Sequence, residues 1–187
     1  MEILIIKFRN IGDVLLSTPL ISNLKNIYPG SVIDFALNKG CEDMVSDNPN
    51  INNIIIYDRP RIKKLSLLSQ LKEEIRFTRN IRNNHYDMVI NLTEGDRGAQ
   101  LAFLSGASKK LGFPVRKGLL SKIKIFDKLG DDKKWQHTVE KDLQFINLLG
   151  KEVDNKEVKI YWPNKVKQEI DKILADNNID QFVHIHP

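Results

Sequence analysis

Short apolar runs rich in β-branched residues alternate along this chain with longer segments whose apolar residues recur three and four apart. That alternation constrains the fold more than any other feature. Strands separated by helices join through crossovers, pair in parallel and carry the helices on the sheet faces. "EILII" (Glu2–Ile6), "SVIDFAL" (Ser31–Leu37), Asn53–Tyr57, "YDMVINL" (Tyr86–Leu92) and "KKLGF" (Lys109–Phe113) are the predicted strands. Between them the spacing predicts helices over Asp13–Ile27, Glu42–Ser46, Ser66–Asn83 and Gly95–Gly106, with a basic loop over Asp58–Lys64. Pro19 lies inside the first and predicts a kink there. In Ser66–Asn83, Leu68, Leu71, Ile75 and Thr78 share one side; Lys72, Arg76 and Arg79 share another. The class is therefore α/β with a mostly parallel sheet.

The second half is less regular. Pro114–Lys134 loses the pattern and reads as a mobile basic loop with a short strand at "KIKIF". "HTVEKDLQFINLLG" is a helix with Val139, Leu143 and Ile146 inward, His137 as its cap and Gly150 as its stop. "VKIYW" is extended up to Pro163. A helix over Asn164–Asn177 and an apolar strand, "FVHIHP", follow. These last two elements read as the opening of a second unit, dividing the chain into 1–162 and 163–187.

Charge narrows the partners. The net charge of +5 is concentrated: eight basic residues lie between Arg59 and Arg82, opposed only by Glu73 and Glu74. Lys109–Lys124 carries six more and no acid. Such segments point to an anionic partner or to solvated surface. Phe77 is the only aromatic residue between Arg59 and Arg82, whereas stacking on bases calls for interleaved aromatics. Nucleic acid is therefore not the expected partner. One cysteine, Cys41, permits no intrachain disulfide. The opening apolar run is too short for a secretory signal, and no stretch reaches the ~18 apolar residues of a spanning helix. The expected location is cytoplasmic, or peripheral on a membrane surface. His184 and His186 alternate on a strand without a supporting ligand cluster, so no metal site is expected.

The loop after the first strand, "KFRNIGDVLLSTP", occupies the place where open parallel sheets bind ligands. Gly12 stands alone, so this is neither a dinucleotide fingerprint nor a phosphate-binding P-loop. Asp13 reads in two ways. It is a first-turn acid that stabilises a helix by ~1 kcal/mol, or it is a carboxylate placed to take a proton.

The string "MEILIIKFRNIGDVLLSTPLISNLKNIYPGSVIDF" resembles the N-terminus of the family-nine glycosyltransferases, the ADP-heptose:lipopolysaccharide heptosyltransferases. "YDMVINL", "GAQLAFLSGASKKLGF", "HTVEKDLQFINLLG" and "FVHIHP" extend the resemblance in order over essentially the whole chain. It implies two Rossmann-like domains facing across a cleft, the GT-B arrangement, with this chain as the N-terminal, acceptor-binding half. The implied reaction is inverting transfer of heptose from ADP-heptose to the inner core of lipopolysaccharide, either Kdo-lipid A or heptosylated core. It needs no cofactor beyond the nucleotide sugar.

The resemblance implies Asp13 as catalytic base. It places the acceptor against Lys7, Arg9, Arg59, Arg61, Lys63, Lys64 and Arg97, and the donor against Gly12, Asp13, His186 and Pro187. Peripheral contact with the cytoplasmic face of the inner membrane is implied as well. Family members continue past "FVHIHP" into a glycine-containing loop. Most of the donor half is thus expected outside these 187 residues, and activity of the chain alone stays open. Two alternatives remain: a GT-B transferase with another nucleotide sugar, and a non-catalytic module for anionic glycan or nucleic acid.

Overall fold

A computed structural model describes residues 1–8, 10–116, 119–132 and 135–183. Six strands form one sheet in the order β3-β2-β1-β4-β5-β6: β1 (Glu2–Lys7), β2 (Val32–Asn38), β3 (Asn53–Tyr57), β4 (Met88–Asn91), β5 (Lys109–Gly112) and β6 (Lys128–Leu129). Every pairing among them is parallel. The chain winds outward from β1 in one direction, then returns to its other side at β4. The ends of β1 and β4 therefore flank a topological switch point.

β1 is central and covered on both faces, which is why Ile3–Ile6 can be continuously apolar, each fully buried. Ile3 and Ile5 pack with α2 (Thr18–Ile27) and α6 (Thr138–Leu148). Leu4 and Ile6 face the opposite cluster, which includes Ile81 of α4 (Leu67–Asn83) and Ala99, Leu101 and Ala102 of α5 (Asp96–Leu104).

The predicted first helix is broken into α1 (Ile11–Leu15) and α2. The break precedes Pro19, which sits at the second position of α2, where a missing N–H costs nothing. Asp58–Lys64 is not a loop. It carries α3 (Arg59–Lys63), capped by the Asp58 carboxylate, which accepts from the Arg61 N–H at 3.0 Å. "KIKIF" forms no strand. Ile125 and Phe126 are buried as single anchors, a 3-10 turn spans Leu119–Lys122, and β6 begins only at Lys128.

The segment after α6 is stitched to α2. The buried Asn23 side chain donates to the Asn155 carbonyl at 2.6 Å and accepts from the Asp154 N–H at 2.7 Å. Lys159 N–H reaches the Thr18 hydroxyl at 3.2 Å. None of the residues of α7 (Asn164–Asp176) is buried. Of "FVHIHP", Phe182 and Val183 are in no strand, and the rest lies outside the described residues.

One close approach shapes the end of β4. Gly98 of α5 lies over Asn91, whose side chain bonds both N–H and C=O of Thr93. A Cβ on Gly98 would sit 2.2 Å from Asn91 Oδ1. Gly98→Ala is expected to cost about 1–3 kcal/mol, read as a lowered urea midpoint. An unchanged midpoint would mean the helix can lift off Asn91 freely.

Candidate active site

Alternation along β1 decides where Lys7 goes. It shares parity with Ile3 and Ile5, so it points toward α6. There its ammonium lies 3.0 and 2.8 Å from the two oxygens of Asp142. The two side chains are 4% and 1% exposed, so this ion pair is fully internal. Ser17 caps α2 with no side-chain bond to that helix. Its hydroxyl is used otherwise, 2.9 Å from both Asp142 Oδ2 and the Asp13 carbonyl oxygen. Burial pushes the Asp142 carboxyl up, Lys7 and Ser17 pull it down, and Asp13 adds a like-charge push.

Asp13 thus sits half-buried in the first turn of α1, beside this network. Thr138 at the start of α6 places its hydroxyl 3.5 Å from Asp13 Oδ1. His137 caps α6 through Nδ1, which accepts from the Val139 N–H at 3.3 Å. Gly12 is exposed, and a Cβ there would meet nothing within 4 Å. The ground beside the carboxylate is therefore open.

A cleft of about 510 Å³ opens there, lined by Asn10, Ile11, Gly12, Asn38–Cys41, Arg59 and Pro60. It lies across the carboxyl ends of β1, β2 and β3. Gly12 and Arg59, far apart in sequence, meet in it. Arg61 lines a different cavity, of about 410 Å³, between α3 and α4, and is paired with Glu73. Lys63 and Lys64 are exposed beside it. The basic cluster read as one group is thus divided by α3, because helical spacing turns Arg59 and Arg61 to different sides.

Arg97 forms a bidentate pair with Glu74 at 3.2 and 2.6 Å and stacks 3.5 Å from the Tyr57 ring centre. Its Nε is buried with no hydrogen-bond partner. Tyr57 donates to Glu74 at 2.5 Å and joins Phe8 and Phe77 in an aromatic cluster. Burial, and then the Glu74 carboxylate, push the Tyr57 phenol up to about 12. An acid raised in the folded state stabilises fully below its unfolded value of 10.0, and that contribution fades as pH climbs toward 12. Glu74→Gln is expected to bring Tyr57 down from about 12 but not to 10.0, since burial is the larger cause. Alkaline absorbance titration reads this, and an unmoved Tyr57 would dismiss the Glu74 pairing.

Arg9, His186 and Pro187 lie outside the described residues. No group of three or more His, Cys, Asp or Glu side chains that could hold a metal occurs among the described residues. Sequence reading missed three participants. Lys39 lines the cleft with Gly12 and Arg59 and bonds Asp58 at 2.8 Å; its place just after β2 at the sheet's ligand edge was the available signal. Asp142 and Thr138 come from a helix 125 or more residues away in sequence, and no local pattern marks them.

The glycosyltransferase family 9 (heptosyltransferase) pattern matches residues 74–180, more than half of the chain. Lipopolysaccharide heptosyltransferase 3 of Escherichia coli K12 is 37% identical over 83 residues, 44% of this chain and 23% of that protein. Among solved structures, a family 9 glycosyl transferase from Veillonella parvula superposes with a TM-score of 0.75 at 21% identity, covering 95% of this chain and 49% of that one. E. coli heptosyltransferase WaaC, solved with ADP-2-deoxy-2-fluoro heptose, gives 0.71 at 21% identity, covering 96% and 67%. The chain spans about half the length of the first of these structures, and the stretch matched to heptosyltransferase 3 is under a quarter of that protein.

Proposed function

Because this chain belongs to glycosyltransferase family 9, we propose that it is the acceptor-binding half of an inverting heptosyltransferase. Heptose passes from ADP-heptose to the inner core of lipopolysaccharide. Residues 1–162 form the acceptor domain, and 163–187 open the donor domain. The observation that carries the reading is the open cleft at the carboxyl ends of β1, β2 and β3, where Gly12 and Arg59 meet, with half-buried Asp13 directly after Gly12 in α1.

Asp13 acts as general base. As the acceptor oxygen attacks the anomeric carbon, its proton passes to the Asp13 carboxylate. The bond to the diphosphate breaks on the opposite face, and ADP leaves with the electron pair. Arg59 holds an acceptor carboxylate or phosphate by paired hydrogen bonds. Lys63 and Lys64 add point charges, and Arg61 joins them when it exchanges Glu73 for the acceptor. Lys7 contributes indirectly, since its buried ammonium is committed to Asp142. Arg97 is likewise held on Glu74, steadying the Tyr57 wall rather than gripping a ligand. Arg9 stays on the acceptor side, and Gly12, His186 and Pro187 on the donor side. ADP-heptose is a substrate, and no further cofactor enters. The acceptor's lipid keeps the protein in peripheral contact with the cytoplasmic face of the inner membrane.

Calorimetric titration tests the division of labour. The 187-residue chain is expected to bind heptose-free Kdo-lipid A core oligosaccharide and to take up little ADP-heptose. Donor binding without acceptor binding would reverse the two sides of the cleft and overturn this assignment.

A further inference from the structure

α4 carries two apolar stripes. Half-buried Phe77 and buried Ile81 face the sheet. Leu68, Leu71 and Ile75, at i, i+3 and i+7, face away from it and are 82%, 59% and 53% exposed. Leu67, at the same end, is 83% exposed. Leucines standing this far out gain nothing from folding, and contiguous exposed apolar surface marks an interaction site. The stripe runs into a groove of about 460 Å³ between α4 and α5, floored by Ile75, Leu101 and Leu104 and rimmed by Arg79, Arg82 and Arg97. Phe103 and Leu104 of α5 are also exposed, at 47% and 41%.

Basic residues outnumber acids beside this face, and Glu74, which also lines the groove, is held by Arg97. Lys72 and Arg79 border the leucine stripe, and Arg82 continues it by two turns. Lys63 and Lys64 precede it. The nearby acids are already engaged, Glu73 with Arg61 and Arg76, Glu74 with Arg97 and Tyr57. An apolar stripe edged by uncompensated lysine and arginine is the pattern of a helix lying in a lipid interface.

We infer that the outer face of α4, with the α4–α5 groove, docks on an anionic lipid surface. The leucines enter the acyl boundary while Lys72, Arg79 and Arg82 meet phosphates. A second copy of the chain fits poorly, because a two-fold contact would press like charges together. In a parallel sheet, the helix after β3 starts at the strands' carboxyl edge. Leu67 and Leu68 therefore lie at the same edge as Asp13, and docking would bring the catalytic edge to the lipid. The inference rests on the peripheral-membrane part of the proposed function and not on the transfer chemistry.

Vesicle flotation of the 187-residue chain tests it, with phosphatidylglycerol–phosphatidylethanolamine vesicles against purely zwitterionic ones. Binding is expected to the anionic vesicles only. Leu68→Ser/Leu71→Ser should weaken it about tenfold or more, with an unchanged melting temperature. Arg79→Gln/Arg82→Gln should weaken it at low salt and much less at high salt. Anionic binding untouched by the leucine pair would overturn the assigned surface while leaving peripheral contact intact. No vesicle binding, with acceptor oligosaccharide still bound in calorimetry, would overturn docking and leave the transferase reading standing. A dimer in light scattering that the leucine pair abolishes would give the face to a second copy instead.

Discussion

Asp13→Asn, made in the protein extended to the length of its relatives, is expected to lower turnover about 10²–10⁴-fold. Acceptor affinity should stay close to that of the unchanged protein. A sugar hydroxyl ionises far above neutral pH, so attack without a base leaves a developing oxonium proton with nowhere to go. Asparagine keeps the shape and removes the acceptor of that proton. It also removes a like charge from beside Asp142, so the melting temperature should not fall. Steady-state kinetics with a parallel thermal melt separate the possibilities. Lost turnover with retained stability supports the base. Near-normal turnover would return Asp13 to a first-turn helix acid.

Lys7→Met alone, or Asp142→Leu alone, is expected to destabilise the fold by about 3–5 kcal/mol. Each leaves one charge stranded where the partners are 4% and 1% exposed. Desolvating that charge is the dominant cost, and the surviving Ser17 bond cannot offset it. The double variant Lys7→Met/Asp142→Leu should recover most of the loss, because an apolar pair of similar volume suits the surrounding cluster of Ile5, Val14 and Leu143. Urea unfolding of the three variants closes the cycle. A double variant as unstable as the worse single one would show that the network is needed for more than charge balance. Recovered stability with poor turnover would assign the ion pair to holding α1, and with it Asp13, against α6.

Much of this molecule is legible in its residue order. Period-2 runs and period-3.6 segments are local properties, so the α/β class, the parallel sheet and the helices at 67–83 and 138–148 follow from them. Two patterns misled because each is ambiguous locally. Asp58–Lys64 is crowded with charge, yet Asp58 caps a helix and Pro60 suits its first turn. "KIKIF" alternates like a strand, but Ile125 and Phe126 fill a face already shared with α5 while Ile123 is exposed.

On α4 the spacing of Leu68, Leu71 and Ile75 announces an apolar stripe without saying whether it faces the core. Only the packing of Ile81 into the cluster with β1 and β4, and of Phe77 against Phe8 and Tyr57, turned it outward. The parity of Lys7 with Ile3 and Ile5 was likewise readable, and it sends the side chain to one face of the sheet. Its partner was not readable. Asp142 is 135 residues away, and a charge pair at that separation depends on strand order and helix placement. The sequence alone determined most of the strands and long helices and where their ligand edge lies, since these depend on short-range sterics and periodicity. The tertiary structure decided which charges are internal, which face solvent and which line the cleft beside Gly12, because burial is a property of the assembled layers.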